Sequence, residues 1–307
     1  MCPGSWMPPR IKRTFRERPG RSAAPSAAPR MTTVLEIIDG GARYLGKRGI
    51  ADARRNMQLL VAARLGCSRM ELYTQFDRPL DESLLAPLRE QLRQRGEGVP
   101  LQHLLGTVAF HKHEFKTDAR ALIPRPETEE LVEHILATTL PEELHALDMG
   151  CGSGVIGICL AAARPAWRVT LADISENALA LAAENAELVG THDVRIVRSD
   201  LFSSIDGRFD LIAANLPYIP ESGRDSLSRE VRHDPANALF GGSDGLEIIR
   251  RFIREAADHL APGGWIFLEV GHNQASQVAE FLQGSGFDSI GIRRDLSGVQ
   301  RFCHARR

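Results

Sequence analysis

A short apolar segment, a glycine-rich turn and an apolar helix-like segment follow one another in the middle of this chain. Residues 144–149 have the pattern of a buried strand, residues 155–163 have the pattern of a helix, and the turn between them consists of Gly150, Cys151, Gly152, Ser153 and Gly154. Glycines let the backbone approach a ligand, and the free N–H groups at a helix start face that ligand. This order predicts an α/β fold with a nucleotide-type ligand at the turn.

The spacing of the glycines and the residues that follow the next two strands indicate which ligand the turn binds. Gly-x-Gly-x-Gly differs from the Gly-x-Gly-x-x-Gly of dinucleotide sites, in which a pyrophosphate lies on the helix start. A second predicted strand, 167–172, ends at Asp173, about where a ribose-binding carboxylate is expected, and a third, 194–197, leads to Asp200 and Leu201. An amino-acid carboxylate and an adenosine fit this spacing better, so we predict S-adenosylmethionine as the cofactor.

Four residues at the end of another apolar run, 209–214, indicate the chemistry: Asn215, Leu216, Pro217 and Tyr218. An amide or aryl amine delocalises its lone pair, and two acceptors, the Asn215 side-chain oxygen and the Leu216 carbonyl, can hold both of its N–H bonds. Pro217 would stiffen the turn, and Tyr218 would offer a flat face to a planar substrate. Alone, the segment could also be an Asn-Pro turn that closes a strand. Together with the glycine turn, it predicts a Rossmann-like methyltransferase.

The first 30 residues differ in composition from the rest of the chain. Seven Arg and Lys residues against one acid, Glu17, give this segment a net charge of +6; the whole chain has −1, and the remainder therefore −7. We predict a disordered basic extension over residues 1–32. Two alternatives are open: an extension before a start at Met31, and an Arg-rich organelle-targeting peptide.

The remaining residues divide into three predicted parts. Amphipathic patterns over residues 33–98 predict a helical bundle that binds a partner, and residues 99–124 predict a β-hairpin linker. His111 and His113 are expected on one face of that hairpin, where a solvated face is favoured over a metal pair. Residues 125–307 predict the methyltransferase domain, with a seven-stranded sheet that includes strands near 265–270, 289–293 and 301–304.

Composition bounds the setting of the protein. The five cysteines show neither a Cys-x-x-Cys pair nor a metal-ligand spacing, and no apolar run reaches the eighteen or so residues of a membrane span. We therefore expect a reduced, cytoplasmic protein with no metal and no membrane association, and we expect a monomer.

Several segments together resemble one family, the peptide-chain release factor N5-glutamine methyltransferases. The resemblance extends from Val34 to the C-terminus. The matching segments are residues 101–106, 122–129, 148–154, 199–202 and 215–218, with Asp234-Pro235, Ala238-Leu239, Gly242 and Asp244-Gly245. The Arg125-Pro126-Glu127-Thr128-Glu129 segment is the most specific of these, because other Asn-x-Pro-Tyr methyltransferases lack it.

The resemblance implies a class I methyltransferase domain behind an N-terminal helical bundle, and a role for each matched residue. Residues 150–154 would line the methionine part of S-adenosyl-L-methionine, Asp173 would bind the ribose, and Asp200 and Leu201 would meet the adenine. Residues 215–218 would hold the glutamine of a Gly-Gly-Gln loop in class-1 release factors. Two positions depart from the family pattern, because the family usually has proline in place of Leu216 and often an aromatic in place of Leu201.

Two other functions are weighed against this one. Asn-Leu-Pro-Tyr is also the form in ribosomal-RNA adenine dimethyltransferases, so an RNA or DNA adenine N6-methyltransferase is the alternative. Such an enzyme should carry a basic face, whereas the body of this chain is acidic, and we expect no direct nucleic-acid partner. A non-catalytic adaptor is disfavoured because every expected cofactor position is filled.

Overall fold

The computed structural model describes Met1 and residues 32–307, so the predicted basic extension lies almost entirely outside the described residues. The first part of the described chain is helical. It contains α1 (Val34–Lys47), α2 (Ala53–Leu65), α3 (Arg69–Leu72), α4 (Glu82–Glu97) and α5 (Leu101–Leu105). A β-hairpin, β1 (Thr107–Phe110) and β2 (His113–Lys116), then leads to α6 (Pro126–Ala137).

The rest of the chain alternates strands and helices. The strands are β3 (His145–Met149), β4 (Arg168–Asp173), β5 (Arg195–Arg198), β6 (Phe209–Asn215), β7 (Leu260–Glu269), β8 (Asp288–Arg294) and β9 (Gln300–Arg306). The helices between them are α7 (Val155–Ala163), α8 (Glu176–Val189), α9 (Glu247–His259) and α10 (Ala275–Gly284). Three short 3₁₀ turns lie between β6 and α9, at Glu221–Ser226, Val231–His233 and Ala236–Ala238.

The helices of the N-terminal part begin at capping residues. Thr33 and Ser68 each form a capping box with the glutamate three residues on, at the starts of α1 and α3. Asp81 accepts from the N–H of Leu84 at the start of α4. Their apolar faces meet in one core, whose fully buried members include Ile38, Leu45, Leu60 and Val61. Burial of this kind, more than helix propensity, holds short helices together.

The hairpin is shorter than the sequence suggests, and one expectation about it is wrong. Thr107–Phe110 and His113–Lys116 pair in an antiparallel register that joins Phe110 to His113. His111 therefore lies in the turn, with a left-handed φ of 53°, and does not share a strand face with His113. Within the described chain there is no group of three or more His, Cys, Asp or Glu residues that could hold a metal ion.

The seven-stranded sheet has the order β5-β4-β3-β6-β7-β9-β8. β3 pairs in parallel with both β4 and β6, and β6 pairs in parallel with β7, whereas β9 runs antiparallel to β7 and β8. The predicted Rossmann-like fold and the terminal antiparallel hairpin are thus confirmed. The direction in which strands are added reverses beside β3, and such a reversal opens a crevice at the carboxyl ends of the strands.

Helices cover both faces of this sheet, as the alternation of side chains along β3 illustrates. Leu147 and Met149 pack with α9 and α10 on one face, and Ala146 packs with α6, α7 and α8 on the other. Pro262-Gly263-Gly264 lies within β7, which begins five residues before the predicted strand at 265–270. There the partner register jumps, because Phe209 pairs with Leu260 but Leu211 with Trp265. The extra residues form an irregularity in the strand.

In the part of the chain that the structure describes, none of the helices combines the length and the apolar composition of a membrane span.

Candidate active site

A cavity of about 390 Å³ lies at the carboxyl ends of β3, β4 and β6. Ten of the twelve residues predicted for the site line it: Gly150, Cys151, Gly152, Ser153, Asp173, Asp200, Leu201, Asn215, Leu216 and Pro217. The strand order explains this convergence, because β4 and β6 are the two neighbours of β3. The volume of the cavity lies within the range of sites that bind small molecules.

The glycine turn has a backbone that ordinary residues rarely adopt. Gly150, Gly152 and Gly154 have φ values of 70°, 55° and 85°. At Gly152 an added Cβ would have only the Ala121 side chain nearby, at 4.0 Å, so its Cα faces open cavity space. Gly154 instead faces the core, where an added Cβ would lie 2.7 Å from Ile158, and it does not line the cavity. The turn therefore brings bare backbone to the cavity wall.

The Asp173 carboxylate accepts two backbone hydrogen bonds, one of which comes from the glycine turn. The N–H of Gly152 donates to its Oδ2 at 2.9 Å, and the N–H of Ser175 donates to its Oδ1 at 2.9 Å. Burial raises the pKa of Asp173, and the backbone N–H groups of Ser175, Gly152 and Ile174 oppose that rise. A carboxylate has about four acceptor positions, so it keeps acceptor capacity for a hydroxyl donor in the cavity.

Asp200 and Leu201 lie at the other end of the cavity, after β5. Arg251 of α9 contacts Asp200 with its Nη2 3.0 Å from Oδ1, and the Asp200 side chain is about half exposed. Leu201 is buried and has a φ of 47°, and its carbonyl accepts a hydrogen bond from the Ser199 hydroxyl. This bond stabilises a left-handed backbone conformation that leucine rarely adopts. The apolar side chain of Leu201 is thereby held at the cavity.

The Asn215–Tyr218 turn is held by glycines from two other segments. An added Cβ at Gly150 would lie 2.7 Å from the Leu216 side chain, and one at Gly241 would lie 2.3 Å from the Pro217 carbonyl oxygen. The backbone of Ile219 donates to Leu239 at 3.0 Å and accepts from Gly241 at 2.9 Å. The turn therefore packs between the glycine turn and the 239–245 segment, and this contact explains the glycines there.

Tyr218 does not lie on the cavity wall. Its ring packs beside the core at the β6–α9 face, and its carbonyl accepts from Gln274 Nε2 at 2.9 Å. Burial raises the pKa of Tyr218 to about 12. The half-buried ring is therefore not part of the cavity lining in this structure.

The Asn215 amide belongs to a buried hydrogen-bonded chain. Its Nδ2 donates to Thr128 Oγ1 at 3.2 Å, and the Thr128 hydroxyl donates to Glu269 Oε2 at 2.7 Å. Thr128 and Glu269 are 3% and 2% exposed. Burial raises the pKa of Glu269 to about 7. With its nitrogen engaged in this way, Asn215 has its oxygen available as an acceptor.

Sequence reasoning assigned no role to four residues that shape the site: Thr128, Arg251, Glu269 and Gln274. Thr128 lies within the Arg125–Glu129 segment. Glu269 ends an apolar run, and an acid at the end of a predicted strand is a signal that could have identified Glu269 as a site residue. Arg251 lies on α9 and Gln274 directly precedes α10, both outside the matched segments, and nothing in the sequence marks them.

Two family models match this chain. One, described as the Methyltransferase small domain, matches residues 128–244, and the other, described as the PrmC N-terminal domain, matches residues 36–106. The catalytic domain of hMettl16, solved in complex with the MAT2A 3'UTR hairpin 6, superposes with a TM-score of 0.55 at 15% identity. That match covers 75% of this chain and 93% of that one, and at this identity it shows the shared fold alone.

Relatives named release factor glutamine methyltransferase match nearly the full length. The protein of Geobacter sulfurreducens is 38% identical over 280 residues, which cover 91% of this chain and 98% of that relative. The protein of Deinococcus radiodurans is 38% identical over 274 residues, which cover 89% and 98%. Identity at this level over nearly the whole length shows that this chain belongs to the release factor glutamine methyltransferase family.

Proposed function

We propose that this protein methylates the side-chain amide nitrogen of the glutamine in the Gly-Gly-Gln loop of class-1 peptide-chain release factors. Membership of the family supports the reaction class. The observation that carries the proposal is the Asn215 amide, which lies on the wall of a cavity shared with the glycine turn and has its nitrogen bound to Thr128. Its oxygen then suits an N–H donor, as an amide substrate requires.

The residues of the cavity fit S-adenosylmethionine as the methyl donor. Gly152 leaves space where a side chain would stand, and the remaining acceptor capacity of the Asp173 carboxylate suits a ribose hydroxyl donor. Leu201 and Ile174 line the cavity with apolar surface that suits an adenine. When bound, S-adenosylmethionine supplies an electrophilic methyl group and leaves as S-adenosylhomocysteine. Asp200 would contribute at the adenine end, where Arg251 fixes its position.

The protein's part in the transfer is to hold and orient the substrate amide. Asn215 Oδ1 and the Leu216 carbonyl would accept its two N–H bonds, which fixes the nitrogen and draws electron density toward it. Such preorganised acceptors help where positive charge develops on the attacking nitrogen. The nitrogen exchanges one N–H for N–CH₃, and the proton is released to solvent. Leu216 acts through its backbone, so a leucine in place of proline keeps the acceptor.

Selectivity among glutamines must come from contacts remote from this cavity. A glutamine side chain is common to most proteins and too small to identify one of them. We therefore assign recognition of the folded release factor to the helical part, residues 33–98, which contacts the methyltransferase part through a buried arginine. Arg95, 4% exposed, pairs with Glu230 at 2.7 Å in the segment that follows the Asn215–Tyr218 turn. This pairing links the proposed docking surface to the substrate turn.

Mass spectrometry of a methylated release factor tests the proposal. Purified enzyme, release factor and isotopically labelled cofactor should give one added methyl on the tryptic peptide that contains Gly-Gly-Gln, and fragmentation should locate it on the glutamine. Ribosomal RNA and DNA serve as competing substrates in the same assay. Methylation of adenine with an unmodified release factor would overturn the proposal in favour of the adenine N6-methyltransferase. The cytoplasm as the place of the reaction and the monomeric state stay predictions.

A further inference from the structure

Three residues from three elements form a hydrogen-bonded chain that starts at the cavity wall, which Asn215 and Thr128 line, and ends at Glu269 behind it. Asn215 and Glu269 end the neighbouring parallel strands β6 and β7 and lie opposite each other in the register. Thr128, the third residue of α6, lies between their side chains, 3.2 Å from Asn215 Nδ2 and 2.7 Å from Glu269 Oε2. Only Asn215 is partly exposed, and Glu269 does not line the cavity.

The direction of the hydrogen bonds in this hydrogen-bonded chain follows from the donors that each group owns. An ionised carboxylate only accepts, so the single proton of the Thr128 hydroxyl must go to Glu269. The oxygen of Thr128 then has only lone pairs left for Asn215, and it selects the Nδ2 edge of the amide. If Glu269 were protonated, it could donate to Thr128, and the threonine proton would be free to select the Oδ1 edge instead.

We propose that Glu269, acting through Thr128, is a positioning group that turns the Asn215 amide so that its oxygen faces the substrate. The inference rests on the proposed function, because only a substrate with N–H donors needs that oxygen. If the Asn215 amide were reversed, its NH₂ group would face the N–H groups of the substrate amide and could not accept a hydrogen bond from them. The charge of a residue outside the cavity thus sets the polarity of the acceptor inside it.

The surroundings of Glu269 put its ionisation within reach of ordinary assay conditions. The groups that face it are Arg301 of β9, Glu127 and Thr128 of α6, and Asn215 and Tyr218 at the end of β6. Burial raises the pKa of Glu269 to about 7, against the hydrogen bond from Thr128, the charge of Arg301 and the nearby Asn215 amide, while Glu127 adds to the rise. A rate that requires ionised Glu269 should increase with pH through this region and level off above it.

A threonine series separates positioning from folding. Thr128→Val keeps the shape and removes the hydroxyl, and it should lower kcat at least about tenfold at saturating substrates, with the cofactor Kd within about threefold. Thr128→Ser, which keeps the hydroxyl, should restore most of the rate. Thr117→Val is the matched control: Thr117 is 2% exposed, and its hydroxyl has no hydrogen-bond partner within residues 32–307, so its rate should not change.

The pH profile of Glu269→Gln supplies an independent measurement, which also covers the case that Thr128→Val fails to fold. Wild-type kcat should rise with an apparent pKa near 7, and the variant should lose that inflection. An inflection that persists in Glu269→Gln, or a Thr128→Val enzyme with wild-type kcat, would overturn the inference. Wild-type enzyme that modifies no release factor glutamine would instead overturn the proposed function, so the two failures are distinct.

Discussion

Replacement of Asp173 by asparagine tests the cofactor site, because the present carboxylate accepts two backbone N–H bonds at once. Its oxygens lie 2.9 Å from the nitrogens of Gly152 and Ser175. Asparagine has only one acceptor atom, and its NH₂ group would face whichever N–H the oxygen does not accept. The substitution keeps the volume of the side chain, so its effects come from hydrogen bonding and charge alone.

Two magnitudes follow from this geometry. One partly buried N–H left without an acceptor costs about 1–3 kcal/mol, which corresponds to a fall in Tm of about 2–12 °C for a domain of this size. In the bound state, the amide can accept from at most one ribose hydroxyl. A lost hydrogen bond to a charged acceptor is worth about 1.5–3 kcal/mol, so cofactor affinity should fall about tenfold to a hundredfold. The chemical step at saturating cofactor should change less.

Calorimetry of cofactor binding and thermal unfolding of the free protein measure the two effects. Asp200→Asn is the matched control for stability, because Asp200 lines the same cavity but is about half exposed and pairs with Arg251 at 3.0 Å. An exposed pair of this kind contributes about 0–1 kcal/mol, so its Tm should move by no more than about 4 °C. Unchanged affinity in Asp173→Asn, with only kcat reduced, would refute the ribose role.

Three further predictions concern the substrate side of the site. Asn215→Ala should lower kcat at least about a hundredfold, since a lost preorganised group costs about 3 kcal/mol. Calorimetry should find the cofactor Kd of this variant within about tenfold of the wild-type value. A variant that keeps more than a tenth of the wild-type rate would rule out Asn215 as the acceptor for the substrate amide. Gly241→Ala should lower both Tm and kcat, because its Cβ would lie 2.3 Å from the Pro217 carbonyl oxygen. Gly207→Ala, which is strained by its φ of 87° but remote from the Asn215–Tyr218 turn, should lower Tm alone. An unchanged kcat in Gly241→Ala would show that the turn does not need this contact. A free Gly-Gly-Gln peptide should be methylated with a kcat/KM at least about a hundredfold below that of intact release factor, equal to about 2.7 kcal/mol of remote binding energy, and equal values would refute docking by the helical part.

The sequence predicts the sheet well because each strand carries its own signal. The apolar runs at 144–149 and 209–214 are followed by glycines or by Asn-Leu-Pro, and both became strands with bounds shifted by about one residue. The glycine turn and Asp173 could be placed for the same reason, since parallel strands bring their carboxyl ends to one edge. Local order in the sequence is therefore enough to find the cavity and most of its wall.

Features that depend on distant contacts could not be predicted in this way. Thr128 meets Asn215 across 87 residues of chain and Glu269 across 141, and no local pattern states which of these side chains will touch. The Tyr218 carbonyl likewise accepts a hydrogen bond from Gln274, which lies 56 residues further along the chain, directly before α10. His111 was misplaced because four-residue strands leave little alternation to read.

The positions of Asp173 and Asn215 explain why affinity and rate should respond to different substitutions. They end the two strands that flank β3, so the glycine turn lies between them. Two strand spacings amount to about 10 Å, and residues that far apart without a shared partner usually act independently. Asp173 bonds to the glycine turn, whereas Asn215 bonds to α6 and, through it, to β7. A ligand that spans the cavity would therefore be held at the Asp173 end and would meet the substrate at the Asn215 end. The hydrogen-bond networks of these two residues have no hydrogen bond in common.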